Sequence, residues 1–246
     1  MAIIQVKDLH ISFKKEKKKI FERQQYIEVL KGISFSIAEN EILGLVGESG
    51  CGKTTLAKAI LGLIQVETGA VIHRSKYPQM IFQDPTGSLN PSKTVSFILQ
   101  EPLKNCTNMR AAERLEKVKW MLGEVGLSKE YLQRYPGELS GGQKQRVSIA
   151  QSLMLGSKFL VADEPVSSLD VTIQAQVLNL IKDLQKRHSL SILFISHDLR
   201  VVYQLCERVM IMKDGLIVES GTRNEIYKNP QNDYTKKLLK SAGLRD

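Results

Sequence analysis

Cysteine is scarce. Cys51, Cys106 and Cys206 are the three in 246 residues, and no two have the CxxC spacing. A disulfide scaffold and a Cys-rich zinc site are therefore not expected. Long apolar runs are missing too: the most apolar short stretch is the six residues 190–195, against the roughly 18 that a membrane span needs. Nor does the N-terminus, MAIIQVKDLH, offer a signal peptide, because Lys7 and Asp8 interrupt the apolar stretch that one requires. Internal repeats and long Gly/Ser linkers are absent. These absences predict a cytosolic, soluble chain with enough length to bury one large α/β core.

What is present in excess is positive charge, +9 overall. It lies at the two ends. Residues 1–31 carry net +4 and residues 221–246 net +3, while the 189 residues between carry only +2. The densest run is Lys14, Lys15, Lys17, Lys18 and Lys19. Such a run suits phosphate contacts along nucleic acid, a patch near anionic lipid, or a solvated loop. With no aromatic residue interleaved, the solvated loop is the favoured reading.

Hydrophobic periodicity orders the rest. Ile3, Val6, Leu9, Ile11 and Phe13 suggest an edge strand, and Leu30 to Ile37 alternates with period two as a half-buried strand does. Ile42 to Val46 is a near-continuous apolar strand leading into a glycine-rich turn, and helical spacing follows over 54–64. From about 90 to 157 the texture is helical, with Leu115, Val118, Met121, Leu122 and Val125 on one stripe. Strands return at 159–162, 191–195 and 209–212, with a helix carrying Ile173, Val177, Leu180, Ile181 and Leu184 between the first two. Strand–helix alternation around a helical insert predicts an α/β fold with a mainly parallel, covered sheet.

The strongest chemical signal is GESGCGKT, Gly47 to Thr54, a full match to GxxxxGK(S/T) between a strand and a helix. Its glycines let backbone wrap closely around phosphate oxygens, and its N–H groups with the helix N-terminus favour an anion. Gly47, Glu48, Ser49, Gly50, Cys51, Gly52, Lys53, Thr54 and Thr55 form the expected nucleotide cradle. Lys53 supplies charge toward the β- and γ-phosphates, and Thr54 a hydroxyl for Mg²⁺. Next, the apolar strand FLVADE delivers Asp163 and Glu164 to its C-terminal end, where ligands bind in open α/β sheets. On an extended chain the two carboxylates face opposite ways, so Asp163 can serve Mg²⁺ while Glu164 polarises the attacking water. Third comes LSGGQ, Leu139 to Gln143, in which Ser140 stands at a helix N-cap and Gly141 and Gly142 leave N–H groups accessible.

LSGGQ between a P-loop and a carboxylate-ended strand resembles the ATP-binding cassette (ABC) ATPases, and the resemblance covers almost the whole chain. It implies a P-loop ABC fold over 1–246: a mainly parallel core sheet, an antiparallel β-subdomain, a helical signature subdomain at about 90–157 and a short C-terminal segment at about 221–246. Gln83 in IFQDP looks like the Q-loop glutamine, which in the family touches Mg²⁺ and water beside the membrane subunit. Ser167 to Asp170 matches the D-loop, and His197 in ISHD the switch histidine. Ser140, Gly141, Gly142, Gln143 and Asp170 would meet nucleotide held by a second cassette. An aromatic ring stacks on the adenine in the family; Phe13 fits the usual position and Tyr26 competes with it.

The resemblance further implies two cassettes closing head to tail over ATP and Mg²⁺ on the cytoplasmic face of the membrane. Its partners would be a second, identical or non-identical ATPase, two transmembrane permease subunits and an external binding protein, with no nucleic acid. Pro85 to Leu103 and Lys228 to Leu239 look like the ATPases of oligopeptide, dipeptide and nickel importers, in which a Pro, a Tyr-Thr pair and a Leu pair recur near the C-terminus. The segment between Leu63 and Gln83 is short for that group and predicts a trimmed β-hairpin. The chain also stops soon after Leu239, before the cysteine-bearing tail of some relatives, so no iron–sulfur cluster is expected. A soluble cassette working on nucleic acid or ribosomes is the rival reading. It is disfavoured because neither a tandem cassette nor a long coiled-coil insertion is present.

Overall fold

The computed structural model describes residues 1–15 and 25–244, so Lys17, Lys18 and Lys19 lie outside the described residues. In chain order the elements are β1 (Ala2–Lys14), β2 (Tyr26–Ala38), β3 (Ile42–Val46), α1 (Lys53–Ile60), β4 (Thr68–His73), β5 (Gln79–Ile81) and α2 (Pro85–Ser88). Then come α3 (Val95–Cys106), α4 (Ala111–Glu124), α5 (Gly141–Leu153), β6 (Phe159–Asp163), α6 (Val171–His188), β7 (Ser191–Ser196), α7 (Leu199–Leu205), β8 (Arg208–Lys213), β9 (Leu216–Thr222), α8 (Arg223–Lys228) and α9 (Asp233–Ser241). The chain divides into two compact units, residues 1–74 with 193–246, and residues 75–192.

In the first unit β1 is not an edge. It is the middle strand of an antiparallel sheet ordered β2-β1-β4, pairing Gln5 with Ser36 on one side and with Ile72 on the other. Side-chain alternation reports which face is buried, not whether both backbone edges are paired, so the sequence could not separate the two cases. A bulge interrupts β1, where Asp8 takes φ 45° and its N–H donates to Ser34 Oγ at 2.8 Å. The other strands of this unit follow the order β7-β3-β8-β9. β3 runs parallel to β8 with Leu45 opposite Met210, and β8 turns back antiparallel onto β9. All five residues of β3 are buried, as a strand covered on both faces requires.

α1 is shorter than its periodicity suggests. It stops at Ile60, Gly62 takes φ 69°, and Leu63 N–H donates back to Lys58 O at 2.8 Å. That left-handed closure ends the helix, and Leu63, within the 54–64 helical spacing, lies beyond it and is exposed. The 63–83 segment forms no hairpin either: β4 pairs with β1, while β5 pairs in parallel with β6.

The second unit is helix-rich, with no strand among its described residues from 90 to 157. Val118, Met121, Leu122 and Val125 of the α4 stripe are fully buried, as are Val147, Ile149 and Ala150 of α5. Val177, Leu180, Ile181 and Leu184 give α6 its buried face, with Ile173 half-covered at its start. Among the described residues no helix is long and apolar enough to cross a membrane.

Candidate functional site

The glycine-rich loop occupies the first unit, between buried β3 and α1. Gly47 has to be glycine: a Cβ there would stand 2.3 Å from Met212 O and 2.7 Å from Cys51 Sγ, and a backbone oxygen cannot yield. Gly52 caps α1 with φ 110° and no side-chain hydrogen bond, so the first-turn N–H groups are not covered by a cap. Lys53, buried, reaches back and donates from Nζ to Gly47 O at 2.8 Å and Glu48 O at 2.9 Å. Its ammonium is thereby held over its own loop. Glu48, Ser49, Gly50 and Thr54 are exposed, and Thr55 is half-covered. Cys51 is buried, and that burial pushes its thiol pKa up against the opposing pull of Lys53. A protonated thiol at neutral pH suits the reading that its backbone matters more than its sulfur. His197 follows β7 in the same unit, and Asp198 caps α7 by accepting from Arg200 N–H at 2.8 Å. Phe13 and Tyr26 are both exposed at neighbouring register positions, Phe13 opposite Ile27 and Lys14 opposite Tyr26.

The second unit carries the carboxylates. Asp163 is buried at the end of β6. Glu164 leaves the strand with φ 47°, and both Ser167 N–H (3.2 Å) and Ser167 Oγ (3.1 Å) donate to its carbonyl. The two carboxylates are thus separated by a turn and not, as the sequence suggested, by the alternation of an extended chain. A left-handed non-glycine residue costs about 1–3 kcal/mol, so this turn is held by its surroundings. Gln83 Nε2 donates to Glu164 Oε2 at 3.2 Å, joining two residues 81 positions apart. An amide hydrogen on a carboxylate oxygen orients that carboxylate.

The LSGGQ turn forms the N-cap its sequence predicts, with Gly141 exposed and Gly142 buried. Ser140 Oγ accepts from Gln143 N–H at 3.4 Å, and Gln143 Oε1 accepts from Ser140 N–H at 2.9 Å. Gly142 packs tightly, since a Cβ there would lie 2.7 Å from Ile173 Cγ2, and Gly141 faces Leu169. Asp170 caps α6 by accepting from Ile173 N–H at 2.9 Å. Signature and D-loop therefore meet at the start of α6.

Three residues were invisible to motif reading. Tyr131 OH accepts from Gln143 Nε2 at 2.8 Å and steadies the signature. Gln174 Nε2 donates to Val166 O at 2.9 Å and Leu169 O at 3.1 Å, stitching the D-loop to α6. Tyr234 OH accepts from Glu48 N–H at 3.4 Å. The one available signal was for Tyr234, in the Tyr-Thr pair of the C-terminal segment. Gln174→Ala removes both of these bonds, although Val166 O keeps Leu169 N–H at 3.2 Å, and unfolding stability falls by about 1–2 kcal/mol in a urea titration.

The residues present fit the groups that the motifs imply. Gly47 and Gly52 pack so closely on their own chain that no Cβ fits, which keeps the loop tightly wound, and Lys53 brings a cation to it. Thr54 in the first unit and Asp163 in the second each carry a hard oxygen donor of the kind Mg²⁺ takes.

Residues 30–167 match the family described as ABC transporter. The chain belongs to the ABC transporter family. The oligopeptide transport ATP-binding protein OppF of Haemophilus influenzae is 43% identical to this cassette, over 99% of this chain and 79% of its own. The dipeptide transport ATP-binding protein DppF of Escherichia coli is 44% identical, over 92% and 72% respectively. Among solved structures, cbiO1 from Clostridium perfringens, part of the ABC transporter complex cbiONQ, aligns with TM-score 0.80 at 25% identity, covering 99% of this chain and 95% of that one. The dimeric post-hydrolysis state of the cassette MJ0796, bound to ADP and Pi, aligns with TM-score 0.77 at 25% identity, covering 89% and 98%. The cassette is thus an ABC ATPase of α/β class, with mixed sheets and an antiparallel β-region.

Proposed function

We propose that this cassette hydrolyses ATP to drive import of oligopeptides or dipeptides, working from the cytoplasmic face of the membrane. The observation that carries the catalytic part is the 3.2 Å contact from Gln83 to Glu164. Support for the substrate class comes from the 43% and 44% identities to OppF and DppF over nearly the whole chain.

In this reading Lys53 keeps Gly47 O and turns its other donors from Glu48 O to phosphate oxygens, a stronger charge-assisted pairing. The α1 N-terminus and the loop N–H groups bind the phosphates from the same side. Thr54, Asp163 and Gln83 would hold Mg²⁺, which when bound neutralises phosphate charge. Glu164 accepts the proton of the attacking water, oriented by Gln83, and His197 donates to the γ-phosphate. Phe13, or Tyr26 beside it, stacks on the adenine.

One P-loop covers one side of the γ-phosphate. Ser140, Gly141, Gly142 and Gln143 of a second cassette, with its Asp170, supply the missing donors when two cassettes close head to tail. Turnover then requires closure, which couples chemistry to movement of two permease subunits served by an external binding protein. His197→Ala is expected to bind ATP with unchanged affinity while turnover falls by about 10²-fold or more.

The deciding experiment reconstitutes the cassette with its partner ATPase and permeases in vesicles and follows labelled peptide. ATP-dependent uptake supports the reading. Uptake indifferent to ATP, or salt-sensitive RNA binding without membrane association, overturns it in favour of a soluble role.

A further inference from the structure

The C-terminal helix α9 touches both ends of the nucleotide-handling part of the first unit. At its start, Tyr234 OH accepts from Glu48 N–H at 3.4 Å. The peptide plane that carries this N–H is the one whose carbonyl, Gly47 O, holds Lys53 Nζ at 2.8 Å. A peptide unit is planar and rigid, so fixing its N–H fixes the direction of its C=O. The tyrosine hydroxyl therefore acts on the lysine ammonium through one peptide plane.

Tyr234 is itself firmly placed. Asn232 caps α9, with Oδ1 accepting from Tyr234 N–H at 2.8 Å. Glu219 on β9 receives Gln231 N–H at 2.7 Å and Asn232 N–H at 3.2 Å. Lys213 Nζ lies 4.9 Å from the centre of the Tyr234 ring. Two residues on, Gly215 N–H donates to Cys51 O at 3.1 Å, so the β8–β9 turn grips loop and helix together. Thr235 and Leu239, fully buried, seat the helix.

At the other end, about 12 Å along the helix, Ala242 O accepts from Arg200 Nη2 at 3.0 Å. Arg200 sits three residues after His197, and Leu238, Ser241 and Ala242 share with His197 and Arg200 a cleft of ≈ 360 Å³. Nothing in the P-loop or switch motifs requires a tyrosine or an arginine at these positions.

We infer that α9 is a strap that keeps the P-loop and the switch-histidine segment in a fixed relation, with Tyr234 and Arg200 as its positioning residues. The inference rests on the ATPase reading above and extends it to the C-terminal segment, which that reading leaves without a role. Tyr234 acts on ground-state binding, because Lys53 meets the phosphates before reaction. Arg200 acts on turnover, because it orders the segment that carries His197.

The test measures ATP affinity with a fluorescent ATP analogue, steady-state kcat and KM, and thermal melting, on the full chain together with its partner cassette. Tyr234→Phe, which removes one oxygen, should weaken binding about three- to tenfold with kcat within about twofold and melting unchanged. Arg200→Ala should lower kcat at least about threefold with affinity unchanged. Unmoved affinity in Tyr234→Phe overturns the strap, as does a joint fall of affinity, kcat and melting temperature in both variants, the mark of a merely structural helix. Lys53→Ala separates the two levels. If it weakens binding while Tyr234→Phe does nothing, only the strap fails; if the wild-type chain itself neither binds nor hydrolyses ATP, the ATPase reading fails and takes the strap with it.

Discussion

Glu164→Gln lowers ATP turnover by about two to four orders of magnitude while the chain still binds ATP and still closes on its partner cassette. The size follows from what the change removes. The substituted amide keeps an oxygen that can accept from Gln83 Nε2, as the carboxylate does at 3.2 Å, and Ser167 continues to hold the main-chain carbonyl at residue 164. Geometry is preserved and basicity is lost. A carboxylate can take a proton from water being drawn into bonding with phosphorus, whereas an amide cannot. Single-turnover hydrolysis of labelled ATP, run beside an affinity measurement, checks it. Turnover within a factor of two of wild type would remove Glu164 from the role of base.

Lys53→Ala acts one step earlier. The lysine ammonium satisfies two of its donors on Gly47 O and Glu48 O, so with Gly47 O kept as its anchor, binding ATP trades the neutral Glu48 acceptor for anionic ones. A hydrogen bond to a charged group contributes about 1.5–3 kcal/mol, and the β- and γ-phosphates each offer such an acceptor. Loss of the side chain should therefore weaken ATP binding by about 10- to 150-fold or more, read by isothermal titration. Turnover falls with it. A dissociation constant within twofold of wild type, in a protein whose melting curve is intact, would mean that the loop N–H groups alone hold the phosphates.

The two predictions separate because they probe parts with different legibility. GESGCGKT fixes its own meaning: a strand, a glycine turn and a helix are local, and the phosphate chemistry follows from backbone N–H groups and one lysine. LSGGQ is equally local, and its capping box forms within four residues. Glu164 was legible as a residue but not as a conformation. A bare Asp-Glu pair after a strand suggests alternation, while the φ of 47° and the Ser167 bonds place Glu164 in a turn.

Other misses share one cause. The β1 pattern of Ile3, Val6 and Leu9 speaks for burial and is silent on which backbone edges find partners, so a central strand read as an edge. Apolar spacing ran on through Leu63 although Gly62 stops the helix, because periodicity counts side chains and does not weigh a left-handed closure. The short 63–83 segment sends β4 and β5 to different partners, a choice made by pairing energies far along the chain.

By itself the sequence determined the α/β class, the family motifs, the phosphate-binding loop and the residue types available for proton transfer, since each rests on a local spacing or a local hydrogen-bond pattern. Only the tertiary structure decided that Gln83 orients Glu164, that Gln174 pins the D-loop, and that Tyr234 holds the peptide plane under Lys53. Those contacts join residues 81 positions apart, an unmarked glutamine to two carbonyls, and residues 186 positions apart. The first and last exist because packing brings distant segments within hydrogen-bond reach, while the Gln174 bonds, five and eight residues long, depend on how the D-loop folds back on its helix; no periodicity along the chain encodes either.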